Sequence, residues 1–160
     1  MLYYEHKRLY RTIKGPVPAE DYTVPLGRAA VVREGTHVTI VSYALMLHRS
    51  LEAAQKLAQE GIECEVIDLR TLVPYDRETI LRSVEKTSRA VVVYESSRTM
   101  GPGTEIAAMI AGEGFSYLDA PVRRVSPPDA PQEPFAPALA EHYLPDANRI
   151  AQAIRETVSY

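Results

Sequence analysis

The hydrophobic pattern changes period several times along the chain, and each change marks an element. Ala29–Val32 and His37–Tyr43 are runs rich in β-branched residues, separated by Glu34-Gly35, a spacing that predicts two strands joined by a hairpin-like turn. Leu47, Leu51, Ala54 and Ala58 then recur at helical intervals, and Gly61 closes that helix. Cys64–Leu69 reads as an apolar strand. Asp76 is placed to cap a helix that turns Ile80, Leu81 and Val84 inward. Ala90–Tyr94 is almost continuously apolar, as a central parallel strand covered on both faces should be. A glycine-rich turn leads to a helix at Thr104–Ala111, and Val122–Val125 is the last strand. Residues 126–145 hold six of the twelve prolines, which predicts an irregular arm with a short helical turn at Ala138–Tyr143. The final helix gathers Ile150, Ala153, Ile154 and Val158 on one face.

Alternating strands and helices imply an α/β fold: a three-layer α/β/α sandwich around a mostly parallel sheet of about five strands with one antiparallel strand. The stretch before it differs. Leu2–Tyr4 reads as a short orphan strand, then come a basic run and a segment containing Gly15, Pro16, Pro18 and Pro25 without period. The expected organisation is therefore residues 1–27 as remnant and linker, poorly ordered or ordered only against another copy, and residues 28–160 as the domain.

Composition excludes several function classes. With 46% hydrophobic and 24% charged residues and a net charge of -3, the chain has no bias toward nucleic acid. Lys7, Arg8 and Arg11 among Tyr3, Tyr4 and Tyr10 are better read as a strap across a protein surface. No apolar run is long enough to span a bilayer, and the lone Cys64 cannot form an internal disulfide, which points to a reduced, cytoplasmic setting. His6, His37, His48 and His142 share no metal-type spacing, and no GxSxG elbow occurs. Gly101-Pro102-Gly103-Thr104 opens a helix after a strand, where an anion could bind, but Ile106 occupies the third glycine of a GxGxxG fingerprint. Glu95, at the carboxyl end of the central strand, is a candidate site or interface carboxylate.

Several ordered motifs point to one family. Gly61 to Pro74 resembles the GxxxEVIDLRTLxP signature in the C-terminal, transketolase-like domain of the β subunit of 2-oxo acid dehydrogenase E1 components. Glu5–Arg11 resembles the EHKxLYR motif that ends the preceding pyrimidine-binding domain, and Tyr22–Gly27 resembles the interdomain connector. Arg33–Val41 is similar to REGxDVTIV, Leu118–Val125 to LDAPVxRV and Tyr143–Asp146 to YLPD. Two loops depart from the family: TGGFGAE appears as Thr99–Glu105, and DTPxPY as Asp129–Pro134 followed by Phe135.

The resemblance implies a parent that decarboxylates a pyruvate-, branched-chain- or acetoin-type substrate on thiamine diphosphate with magnesium and passes an acyl group to lipoyl-E2. It implies no cofactor residues in this chain, since those belong to the N-terminal domain. Implied partners are an E1 α subunit, a second β subunit (or a homodimer) and the peripheral subunit-binding domain of E2. Glu156 and the Tyr160 carboxylate are the implied E2-docking candidates; Glu95, Met100, Gly101, Gly103 and Phe135 are candidates for interface or site-facing roles. The alternative is an independent anion- or nucleotide-binding module using the Gly101–Thr104 turn.

Overall fold

Three strands with apolar side chains on both faces need a helix layer on each side, and the computed structural model, which describes residues 2–130 and 134–160, is built that way. The strands are β1 (Ala30–Arg33), β2 (Val38–Ser42), β3 (Cys64–Asp68), β4 (Ala90–Val93) and β5 (Arg123–Val125), in the order β1-β3-β2-β4-β5. Pairings among β2, β3, β4 and β5 are parallel, and β1 runs antiparallel to β3.

The helices are α1 (Leu9–Thr12), α2 (Ala44–Ala58), α3 (Arg77–Thr87), α4 (Pro102–Glu113), α5 (Pro137–Tyr143) and α6 (Ala147–Val158). On one face, Val38, Ile40, Val66, Val91 and Val93 pack against Leu47, Ala54 and Leu57 of α2 and Ile150 and Ile154 of α6. On the other, Val41, Ile67, Val92 and Tyr94 meet Ile80 and Val84 of α3 and Ile106 and Ile110 of α4. The period-2 alternation of each strand thus divides its side chains between two cores.

The antiparallel strand is present, but not as half of a hairpin. Arg33 Nη1 donates to the Cys64 carbonyl at 2.6 Å, and the Thr36 and His37 amides both donate to the Glu63 carbonyl. The β1–β2 connection therefore crosses the start of β3 and leaves that strand between them. Gly35 makes the crossing possible: a Cβ there would lie 2.2 Å from the Cys64 carbonyl carbon. Strand alternation shows which faces are buried, but not which neighbour a strand takes.

The N-terminal expectation also needs correction. Leu2–Tyr4 forms no strand; the chain instead makes the one-turn helix α1, whose Leu9 packs against the α2/α6 core. The partly buried Leu9 and the His6 contact described below touch the domain, while most of the segment is exposed.

A buried polar cluster ties β2 and β3 to α3. Glu65 accepts from Ser83 Oγ at 2.6 Å and pairs with Lys86, and Thr39 bridges Ser83 and Thr87. The Cys64 thiol is fully buried, and burial pushes its pKa up to about 12, so it is protonated and inert at neutral pH.

Asp76 caps α3 as its position in the sequence predicts. Its carboxylate accepts from the Thr79 amide at 3.1 Å, the Thr79 hydroxyl at 2.9 Å and the Ala29 amide at 3.0 Å, which fastens the domain's first residues to α3. Burial pushes this carboxyl upward, but those hydrogen bonds and the Arg28 charge outweigh it and hold it below the ordinary carboxyl range. The capping contribution is therefore complete above about pH 4 and is lost as pH falls through the depressed native value. Asp76→Ala should cost about 1–2 kcal/mol at pH 7 in denaturant unfolding, and its deficit relative to the parent chain should shrink below about pH 4. A deficit that stays constant down to pH 2 would contradict the ionised cap.

Candidate functional site at the carboxyl end of the sheet

Three of the four non-glycine residues with positive φ lie at the carboxyl end of the sheet, the fourth, Ser88, being the C-cap of α3. Ala44 follows β2, Arg70 follows β3 and Met100 lies in the turn after β4; all three are non-glycine residues in left-handed conformation, at φ 50°, 57° and 59°. Such residues cluster where a structure holds groups for a purpose. The same end carries Tyr43, Asp68, Tyr94 and Glu95, so the parallel strands deliver their carboxyl-end side chains to one surface.

Glu95 meets a residue from the far end of the sequence. His6 Nε2 lies 3.0 Å from one Glu95 carboxylate oxygen and 3.2 Å from the other. Among the described residues, His6 Nδ1 is buried without a partner. Beside this pair, burial pushes the Tyr43 phenol above its ordinary value; the Glu95 charge adds to the rise and a Ser96 hydrogen bond opposes it. Asp68 stands on the neighbouring strand. Burial raises its carboxyl, while the Arg70 amide at 3.2 Å, the Arg70 guanidinium and the nearby His48 pull the other way.

The glycine turn has a structural explanation. A Cβ on Gly103 would sit 2.0 Å from Tyr94 Cδ1, and one on Gly101 would sit 2.4 Å from Ser96 Oγ. Neither glycine has positive φ; both are sockets for the Tyr94 ring and the turn beside it. Arg124 closes the back of the turn, its Nη1 donating to Thr104 Oγ1 at 2.7 Å, the Arg98 carbonyl at 2.9 Å and the Tyr94 hydroxyl at 3.3 Å. The space an anion would need is filled by the protein's own side chains.

The turn offers no free cradle for a diphosphate, and no group of three metal-ligating side chains occurs among the described residues.

Met100 is 93% exposed and Phe135 is 89% exposed, each on one of the two loops that depart from the family pattern. Those loops are tied together: the Thr99 amide and hydroxyl both donate to Asp129, at 2.9 and 2.6 Å. Residues 131–133 of the second loop lie outside the described residues. Glu156 accepts from Arg123 at 2.7 Å and from Gln152 at 3.0 Å on α6, and Tyr160 is exposed beyond that helix. The structure thus gathers Glu95, Gly101 and Gly103 around Tyr94 and leaves Glu156 and Tyr160 on a different element. Sequence reasoning missed His6 and Asp68. Asp68 could have been found by the logic that singled out Glu95, a carboxylate at the end of a buried strand; His6 carries no such signal.

Residues 27–150 match the family model described as transketolase, C-terminal domain. The chain belongs to that family. It is 48% identical over 158 residues to the β subunit of acetoin:2,6-dichlorophenolindophenol oxidoreductase from Cupriavidus necator, covering 99% of this chain and 46% of that protein. It is 39% identical to the 2-oxoisovalerate dehydrogenase β subunit and 41% identical to the pyruvate dehydrogenase E1 β subunit of Bacillus subtilis, covering all of this chain and 49% of each. The chain spans about half the length of these relatives. Among solved structures, a split-gene transketolase described as an inactive beta4 tetramer superposes with a TM-score of 0.77 at 32% identity, over 91% of this chain and 46% of that one. A Pichia stipitis transketolase shares the fold at a TM-score of 0.56 and 13% identity, over 82% of this chain and 18% of that one.

If Gly103 is a socket for Tyr94, Gly103→Ala should destabilise the domain by about 1–3 kcal/mol through overpacking. Thermal melting should show this as a fall of roughly 2–12 °C. Adding Tyr94→Leu should recover part of the loss, because the two residues share one space. Strictly additive losses would refute the packing explanation.

Proposed function

We propose that this chain is the C-terminal assembly domain of a thiamine diphosphate-dependent 2-oxo acid or acetoin dehydrogenase β subunit, and that it contributes contacts rather than chemistry. The observation that carries this reading is the pairing of two facts. The whole chain aligns with β subunits of three such enzymes at 39–48% identity, and the glycine turn that could have formed an independent anion site is filled by Tyr94 and Arg124. In this reading the parent decarboxylates its substrate on thiamine diphosphate and magnesium held outside this domain. An oxo-acid-type parent then passes the acyl group to the lipoyl group of E2.

The partners that follow are an α subunit, a second β subunit and, for an oxo-acid-type parent, the peripheral subunit-binding domain of E2. Met100 and Phe135, large apolar side chains on loops joined by Thr99 and Asp129, are the proposed subunit contacts. Glu156 and the Tyr160 carboxylate are the proposed acidic contacts for E2. No helix among the described residues is long and apolar enough to cross a membrane, and the protonated, buried Cys64 suits a reduced, cytoplasmic setting.

The test combines mass and turnover. Purified alone, the chain should give no 2-oxo acid decarboxylation with thiamine diphosphate and magnesium. Mixed with an acetoin- or pyruvate-dehydrogenase α subunit and a separately expressed pyrimidine-binding domain, it should sediment as a larger complex. Met100→Asp should weaken that association at least tenfold without lowering the melting midpoint. Turnover by the chain alone, or a monomer that ignores both partners, would overturn the proposal.

A further inference from the structure

We propose that the open edge of β5 is a docking groove for an extended acidic segment of a partner polypeptide, which would add to the sheet as one more strand. The inference goes beyond the assembly role and does not depend on which enzyme the domain serves. A groove of about 680 Å³ runs along this edge, between Arg98 on one side and Arg149, Ala153 and Glu156 of α6 on the other, with Arg123 and Arg124 rising from the strand. The backbone is set for pairing. The Tyr94 amide donates to the Val125 carbonyl at 3.1 Å, so Val125 and, by alternation, Arg123 turn their peptide groups toward β4. Those of Arg124 face the groove.

Charge selects the occupant. The chain carries a net charge of -3, yet four arginines line this one groove. Glu156 already holds Arg123 at 2.7 Å, and Asp129, engaged by Thr99, lies close enough to Arg98 to feel its charge. Among the described residues, Arg124 and Arg149 contact only neutral oxygens: Arg124 reaches Tyr94, Arg98 and Thr104, and Arg149 reaches the carbonyls of Ser126, His142 and Tyr143. Two guanidinium charges therefore face the groove without a carboxylate. A small anion could satisfy them but would leave the strand edge unused. An extended peptide with alternating acidic side chains matches both, its backbone pairing at Arg124 and its carboxylates meeting the guanidinium groups. The Arg123–Glu156 pair is an internal example of the contact such a peptide would make.

The test is fluorescence anisotropy of a labelled octapeptide of alternating Glu and Val, with alternating Lys and Val as the control, at low salt with the 160-residue chain. The acidic peptide should bind saturably, and the Arg124 amide should become protected from exchange when it does. Replacing both Arg98 and Arg149 by Gln should weaken binding at least tenfold. If that double variant melts early, the exposed single change Arg98→Gln should still weaken binding at least threefold. Glu156→Gln should tighten binding severalfold by releasing Arg123, the opposite of its expected effect on E2 docking, so the two ideas stand or fall separately. Equal binding of the lysine peptide, indifference to the arginine changes, or no change at the Arg124 amide would overturn the proposal. So would binding of inorganic pyrophosphate where the acidic peptide fails, which would mark a small-anion site.

Discussion

The burial of β2, β3 and β4 on both faces constrains everything else in this molecule. Ten apolar side chains on these strands, facing opposite ways, cannot be covered by one layer, so α2 with α6 and α3 with α4 must close on the sheet from both sides. Two sandwiched faces leave only the edges and the strand ends in contact with solvent. Of the sheet itself, only β1, β5 and the carboxyl-end turns are therefore left to meet another molecule.

At those ends the domain spends its irregular backbone on holding itself together. Tyr94 is the pivot: its ring occupies the space above Gly101 and Gly103, while its hydroxyl joins Arg124 and the Arg98 carbonyl. A turn whose place between strand and helix would suit an anion is a packing device in three dimensions. The left-handed residues Ala44, Arg70 and Met100 belong to the same design, since each redirects the chain sharply as it leaves a buried strand. Met100, 93% exposed, is the large apolar side chain that this trio presents to solvent, which suits it to touch another molecule.

Much of this was legible in the sequence because it rests on local periodicity. The Asp76 cap, the Gly61 stop and the apolar runs around Val66 and Val92 each arise from neighbouring residues, and the structure has them where the pattern puts them. What escaped depends on contacts between distant residues. The pattern around Glu34-Gly35 is compatible with a hairpin; the crossing over Cys64 is visible only once β3 is in place. His6 acquires meaning only from Glu95, 89 residues away. Among the described residues Leu2–Tyr4 joins no strand, so its aromatic content misleads when read as strand propensity.

The His6–Glu95 contact also sets a length scale for attachment. It moors the N-terminal segment at the same end of the sheet where the strands deliver their polar side chains. Leu2 lies only four positions before His6, a reach of at most about 14 Å when fully extended. Any polypeptide joined ahead of that segment is thus tethered within a short radius of the carboxyl-end surface, and its position relative to Tyr43 and Asp68 is governed by leash length as much as by affinity. A contact between two modest side chains acts, in effect, as the hitching point that decides which face of the domain a preceding neighbour meets first.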